Sequence, residues 1–330
     1  MKSRVWALCV VGIIVLTTAA FLLLPDLSGR RSVSIEGRAY SHIALLSDLH
    51  LPGNQRDAKT RVIENLNSWN DLNAVAVLGD TVQTRGTTAE YAYAKSFFSQ
   101  LKAPVFAITG NHDFIYDDQL GPSGKNRKAL PEQRREKLLR FRQLFSLEDH
   151  FYSKKLQGYL LVFLSADDLD SAYLASLSKG QLDWLKQTLT INRNLPTLIF
   201  FHAPLQNTYS GNGNNVGKQD FCAQPSVVIA EMLQANPQVF LWVSGHIHLA
   251  PSHRSNNSPE NLYQGRVLNV HNPDLNGSSY LTSDDVQVSR HQGLATNSLF
   301  LYPDRVVIRM YDHNAQAWLP GERVIPAPKL

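Results

Sequence analysis

Ala103-Pro-Val-Phe-Ala-Ile-Thr-Gly-Asn-His-Asp113 sets a short apolar run against four polar residues. The run is bounded by a proline and a glycine and reads as a buried strand. Asn111 and His112 then stand where a buried parallel strand ends, the place at which open α/β sheets bind ligands. A neutral amide oxygen can ligate a cation without adding charge, and an imidazole can hydrogen-bond or move a proton. Gly-Asn is also a common turn pair, so these four residues alone decide nothing. What decides is that the chain carries four more polar clusters at strand ends.

Towards the N-terminus, His42 to Ser47 reads as a buried strand with Asp48-Leu-His50 at its end. Asp57 to Asn70 has helical spacing, with Val62, Ile63, Leu66 and Trp69 on one face. Asn73 to Leu78 is the next strand and ends in Gly79-Asp80; Thr87 to Leu101 is a helix. This alternation predicts parallel strands joined by right-handed crossovers, with the polar clusters on one edge. Towards the C-terminus, Phe151-Tyr152 and Tyr159 to Leu164 read as strands. Ser178 to Leu189 reads as a helix opened by a Ser178/Gln181 capping box. Leu198 to Phe201 is a strand ending in His202, and a Gly/Asn-rich loop, Ser210 to Gly217, follows. Pro225 to Ala235 is helical, and Val239 to Val243 is a strand leading into Gly245-His-Ile-His248. Val267 to Val270, Ser298 to Tyr302 and Val306 to Met310 read as β. No internal repeat is visible.

Residues 114–149 interrupt the alternation. Within them Pro131 to Phe145 is an amphipathic helix with Leu138, Phe141, Leu144 and Phe145 inward. Eight Lys or Arg lie between Lys125 and Arg142, against Glu132 and Glu136. Such a run reads either as a solvated helix face or as a surface for an anionic substrate or lipid headgroups.

With 330 residues, 43% hydrophobic and 18% charged, the chain can bury one large core and is not globally disordered. The formal net charge of +4 includes Lys2 and Arg4. The remainder is nearly balanced, which argues against a general nucleic-acid-binding surface. Cys9 and Cys222 are too few for a disulfide framework or a zinc-thiolate site, so a metal here would be held by nitrogen and oxygen.

Val5 to Leu24 is almost wholly apolar and long enough to cross a bilayer. Two readings stand: an uncleaved anchor, or a signal peptide with Lys2 and Arg4 as its basic region. The anchor is preferred because cleavage after the small residues Thr17 to Ala20 would leave Phe21-Leu-Leu-Leu24 as a new terminus. The expected organisation is an anchor over 1–28, a linker over 29–40 and one domain over 41–330. That domain is placed outside the cytoplasm, or secreted if the segment is cleaved.

Asp48, His50, Asp80, Asn111, His202, His246 and His248 all fall at or just past strand ends. Counting His112, five of the eleven histidines lie in these clusters. Within a regular strand, Asp-x-His and His-x-His place both side chains on one face, so both reach a common centre. Seven donors exceed the needs of one zinc and suit two cations bridged by a carboxylate.

Asp-x-His, Gly-Asp, Gly-Asn-His-Asp, a lone His and Gly-His-x-His, in that order, resemble the calcineurin-like metallophosphoesterases. The resemblance spans roughly Ile43 to His248. It implies a four-layer α/β/β/α sandwich of two mixed sheets, here preceded by one transmembrane helix. It implies two metal ions, divalent or trivalent Mn, Fe or Zn. Asp48, His50, Asp80 and His248 would hold one; Asp80, Asn111, His202 and His246 would hold the other, with Asp80 as bridge. The implied activity is hydrolysis of a phosphate ester by a hydroxide between the metals, with His112 beside the leaving group. Two dications outweigh two carboxylates, so the centre attracts a phosphoryl group.

Purple acid phosphatases carry a metal-binding Tyr three residues after the bridging Asp, and protein Ser/Thr phosphatases an Asp. This chain has Gln83 there, and Asp113 where the protein phosphatases have Glu, so it resembles class III phosphodiesterases and generic bacterial members more. Tyr209 and Asn212 to Asn215 read either as substrate-facing or as an ordinary polar loop, and His271 as structural. The alternative function is a non-catalytic member serving as a protein-binding scaffold. Such members should have lost ligands or His112, and this chain has lost none.

Overall fold

The computed structural model describes residues 39–209, 218–277, 280–281, 287–288 and 293–330. The apolar stretch Val5 to Leu24, the residues up to Arg38 and the loop from Ser210 to Gly217 lie outside the described residues. No helix among the described residues is long and apolar enough to cross a membrane.

In chain order the elements are β1 (Ser41–Leu46), α1 (Arg56–Ser68), β2 (Leu72–Leu78), α2 (Thr88–Phe98) and β3 (Val105–Ile108). A short turn of helix, α3 (Asn111–Phe114), and α4 (Pro131–Phe145) follow. Then come β4 (Tyr152–Leu156), β5 (Tyr159–Phe163), α5 (Lys179–Ile191), β6 (Thr197–Phe200), α6 (Ser226–Ala235) and β7 (Val239–Ser244). β8 (Leu262–Tyr263), β9 (Val267–His271), β10 (Tyr280–Leu281), β11 (Gln287–Val288), β12 (Ala295–Leu301), β13 (Arg305–Asp312), β14 (Ala317–Trp318) and β15 (Arg323–Pro326) complete it.

One sheet runs β14-β13-β12-β1-β2-β3, with β15 also on β13; the other runs β4-β5-β6-β7-β9-β8. β1, β2 and β3 are parallel, as the strand-helix alternation predicts, and so are β5, β6, β7 and β9. The antiparallel hairpin β12–β13 extends the first sheet from β1, which makes it mixed.

The pleat sorts the side chains into layers. Ile43 and Leu45 of β1 face the second sheet and pack with Phe163, Phe200 and Val243 between the two sheets. Ala44 and Leu46 face the other way, onto Val62 and Leu66 of α1 and Phe97 of α2. On the far side, Val162, Ile199 and Trp242 meet Leu185 of α5 and Ile229 of α6. Helices thus cover the outer face of each sheet, and burying each large apolar side chain contributes about 1.5–3 kcal/mol.

The structure refines three local expectations. Trp69 packs with the core cluster of Val62, Ile63 and Leu66 as expected, but it stands one residue past α1 as its C-cap, in extended conformation, with its ring edge-on against Tyr311. Ser178 caps α5, but Gln181 does not reach back to complete the box. Its side-chain amide bridges the backbone of Ser165 instead, accepting from the amide N and donating to the carbonyl. In the basic run of 125–142, six of the eight cations stay at least partly exposed, and two leave the surface. Arg134 and Lys137 are buried. Arg134 donates to the carbonyls of Ala129, Leu169 and Ser171, and Lys137 to those of Arg85 and Tyr116 and to the Asp118 carboxylate. These cations satisfy loop carbonyls that would otherwise be buried without donors.

Candidate metal centre

The parallel strands β1, β2, β3, β6 and β7 end at one edge, and the predicted donors follow them. They do not get there by strand alternation. Asp48, His50, Asp80, His246 and His248 all have positive φ, between 46° and 70°. Five of the eleven non-glycine residues in this region, among the described residues, are therefore candidate ligands. Each left-handed residue costs roughly 1–2 kcal/mol. The two-residue spacing of Asp48/His50 and of His246/His248 is thus a pair of left-handed steps past the strand end.

The glycines of the motifs are required by close approach. At Gly79, φ is 90°, and a Cβ would stand 2.6 Å from the Gly110 amide N and 2.7 Å from His202 Nδ1. At Gly245 a Cβ would strike Ser47 and the Asp48 carboxylate. The carboxylate and imidazole occupy the space that a side chain would take.

Three imidazoles share one design. His50 Nδ1 is 3.1 Å from the Gln83 carbonyl, His202 Nδ1 2.8 Å from that of Leu78, and His246 Nε2 3.0 Å from that of Asp220. Each ring donates its N–H outward, which leaves the other nitrogen bearing a lone pair towards the centre. His202 Nε2 lies 3.1 Å from His246 Nδ1, 3.3 Å from Asn111 Oδ1 and 3.4 Å from Asp80 Oδ2. His248 Nε2 lies 3.1 Å from Asp48 Oδ1, and His50 Nε2 3.8 Å from Asp80 Oδ2. His50 Nε2 is buried and has no hydrogen-bond partner.

All seven predicted donors converge here. Asp48, His50 and His248 form one cluster of possible ligand atoms, and Asp80, His202 and His246 another. Asp80 also groups with His50 and His112, so it stands between the two. Imidazole lone pairs facing each other and two carboxylates are a poor arrangement by themselves and a good one around cations. The donor set fits two metal ions.

The electrostatics point the same way. Burial would raise the Asp80 carboxyl, but the imidazoles of His202, His112 and His50 outweigh it and hold it well below the usual range. Burial opposes the cationic form of His202 and His248. Asp80 lifts His202 to about 9 all the same, and Asp48 and Asp274 lift His248 to about 10. Burial, with a neighbouring imidazole, pushes His50 and His246 down to about 4. One imidazole in each cluster is thus favoured in its cationic form by a neighbouring carboxylate, a place that a metal ion would take.

His112 stands at the rim, partly exposed, with its backbone N–H donated to Asp80 Oδ1 at 2.8 Å. Its Nε2 is 4.0 Å from Asp80 Oδ2, and its Nδ1 is buried without a partner. The ring of Tyr116 is 5.2 Å from it. The side-chain oxygen of Gln83 accepts from the Gly53 N–H, and its backbone carbonyl orients His50. Tyr209 is buried beside Cys222 and Leu249, and Asn212 to Asn215 lie outside the described residues. His271 is buried between Asn269 and the Thr208 carbonyl, a structural role.

Sequence reasoning missed the scaffold around the donors. Asp113 served only to separate subfamilies; in the structure it is a clamp. Its Oδ1 accepts from Thr81 and Val82, and its Oδ2 from Gly110, tying the Asp80 turn to the Asn111 turn. A carboxylate three residues after Gly110 at a helix start was the available signal.

The profile of the calcineurin-like phosphoesterase family matches residues 41–250, which carry every candidate ligand. The chain belongs to that family. A 3',5'-cyclic-nucleotide phosphodiesterase of Nostoc sp. is 25% identical over 200 residues, covering 59% of this chain and 64% of the relative. The match thus spans less than two-thirds of that relative's length. Among solved structures, a dimetal phosphatase from Danio rerio has a TM-score of 0.58 at 13% identity, over 87% of this chain and 99% of that one. A purple acid phosphatase from yellow lupin (Lupinus luteus) seeds has a TM-score of 0.58 at 14% identity, over 87% and 54%. At these identities the two structures speak for the fold alone.

Proposed function

We propose that the chain hydrolyses a phosphate ester at two metal ions held by Asp48, His50, Asp80, Asn111, His202, His246 and His248. The observation that carries this is the set of three imidazoles, each anchored outward on a backbone carbonyl and turned inward on Asp80 or on one another. Bound cations supply Lewis acidity towards the phosphoryl oxygens and a nucleophile near neutral pH. The protein's part is to hold that charge: Asp80 lies between the clusters, Asp48 is fixed by the His246 backbone N–H at 3.0 Å, and Asn111 adds a neutral oxygen. His112, at the exposed rim, delivers a proton to the departing alkoxide oxygen.

A phosphodiester is the substrate class best supported, because the Nostoc relative is named for cleaving one. Initial rates on bis-nitrophenyl phosphate, nitrophenyl phosphate and cyclic nucleotides, with manganese, iron or zinc, test this. Turnover abolished by chelation and restored by metal is expected; no turnover with any metal would favour the non-catalytic scaffold. The stretch Val5 to Leu24 supports a membrane-anchored protein with this domain outside the cytoplasm. Full-length chain should then resist carbonate extraction from membranes. A mature form beginning at or after Phe21 would mean cleavage.

A further inference from the structure

Lys59 occupies an apolar position. It falls on the face of α1 that carries Val62, Ile63 and Leu66, and it is fully buried. A leucine would fill that slot without the cost of burying an ammonium.

Its Nζ reaches beneath the loop that follows His50. It lies 2.9 Å from Asn276 Oδ1 and 3.4 Å from the Pro52 carbonyl. The same Asn276 oxygen accepts the Asn54 N–H at 2.8 Å. Gly53, with φ at 46°, has no room for a side chain: a Cβ would strike the His50 carbonyl and Asn276, and would stand 3.1 Å from Lys59 Nζ. Asn276 belongs to the loop after β9, and that loop is itself pinned to the centre. The Asn272 N–H donates to Ser244, just before Gly245, and the Leu275 N–H to Ser47, just before Asp48. Asp274, buried in this loop, acts favourably on both Lys59 and His248. Burial pulls the Lys59 ammonium down to about 7, with Asp274 opposing and Arg56 adding.

We propose that Lys59 is a positioning residue for the cluster Asp48, His50 and His248, fastening the loop after His50 to the loop after β9. The proposal rests on the two-metal reading of the site. Lys59 touches no substrate; it acts through His50 and His248.

The test is calorimetric titration of the detergent-solubilised, metal-free full chain with Mn2+, beside Lys59→Met and Asn276→Ala. Thermal melting of the metal-free forms checks that each folds. The wild type should bind two equivalents. Each variant should bind both, with one weakened about tenfold or more and the other nearly unchanged, and kcat should fall more than KM rises. Two wild-type affinities in both variants would overturn the proposal, and so would equal weakening of both equivalents. A tightened equivalent would show the ammonium to be a repelling charge and not a tether. Failure of both variants to fold would make Lys59 purely structural. Fewer than two equivalents in the wild type overturns the two-metal reading and this proposal with it, a result that none of the variant outcomes mimics.

Discussion

The two ends of β1 each hold a buried histidine beside a carboxylate, and only one of them makes a metal centre. At the start of the strand, His42 lies 3.2 Å from Asp71, stacked between Phe300 at 4.3 Å and Trp69 at 5.2 Å. Beyond the other end stand Asp48 and His50. At His42 the ring faces are sealed by aromatic rings, and a single carboxylate answers a single imidazole. At His50 the ring is anchored by an outward N–H, and its free nitrogen converges with atoms from three other strand ends. Proximity of His and Asp is therefore weak evidence of a site. Ring nitrogens and carboxylates converging from several strand ends are strong evidence.

The sharpest break between the two ends comes from substitution. Asp80→Asn should cost about 10³-fold or more in turnover, by analogy with loss of a preorganised charge, and should lower metal content below two per chain. His42→Phe should leave metal content and turnover unchanged. Elemental analysis with initial rates checks both, and metal lost from His42→Phe would erase the contrast. Next in size is His112→Ala. It should lower kcat/KM about 10²–10³-fold on alkyl phosphate esters and far less on nitrophenyl esters, whose leaving groups need little protonation. Equal losses would remove His112 as the proton donor.

Asp113→Ala probes the scaffold. Three buried N–H groups would lose their acceptor, at about 1–3 kcal/mol for each group left unsatisfied and less where the turn relaxes. Urea unfolding should show a clear loss of stability. The smallest effect lies at the His42 end. The Asp71 carboxyl is held down to about 2, first by His42, with burial opposing. A depressed carboxyl stabilises fully above its unfolded value of 3.8 and stops doing so as pH falls towards 2. Because Asp71 is partly exposed, the contribution is about 1 kcal/mol after screening. Urea midpoints at pH 6 and pH 3 should differ more for the wild type than for His42→Phe.

What the sequence disclosed follows from which forces are local. Apolar runs such as Ile43 to Leu46 and Leu198 to Phe201 bury both faces in a parallel sheet, so period and composition reveal them. The donors are legible because polar residues at several strand ends have few other reasons to coincide. The backbone that presents them is not legible: Asp48 and His248 are non-glycine residues in left-handed conformation, stabilised by contacts distant in the chain. The same holds for Lys137 and Gln181, whose partners lie in loops that no spacing rule connects to them. Gln83 shows the limit most clearly: in the motif it served only to separate subfamilies, and in the structure its side chain accepts from the Gly53 N–H while its carbonyl orients His50.

Lys137 also bears on how separable the insertion is. A segment interrupting a regular alternation is ordinarily the first place to shorten a protein. Here its helix holds a cation inside the molecule, gripping the carbonyl of Tyr116, whose ring stands against His112. α4 also lends Phe141 to the packing outside the first sheet. The segment is masonry and not ornament: cutting 117–149 would take Lys137 away from the carbonyl of Tyr116 and Phe141 out of the packing outside the first sheet, and so loosen the ring that stands beside His112.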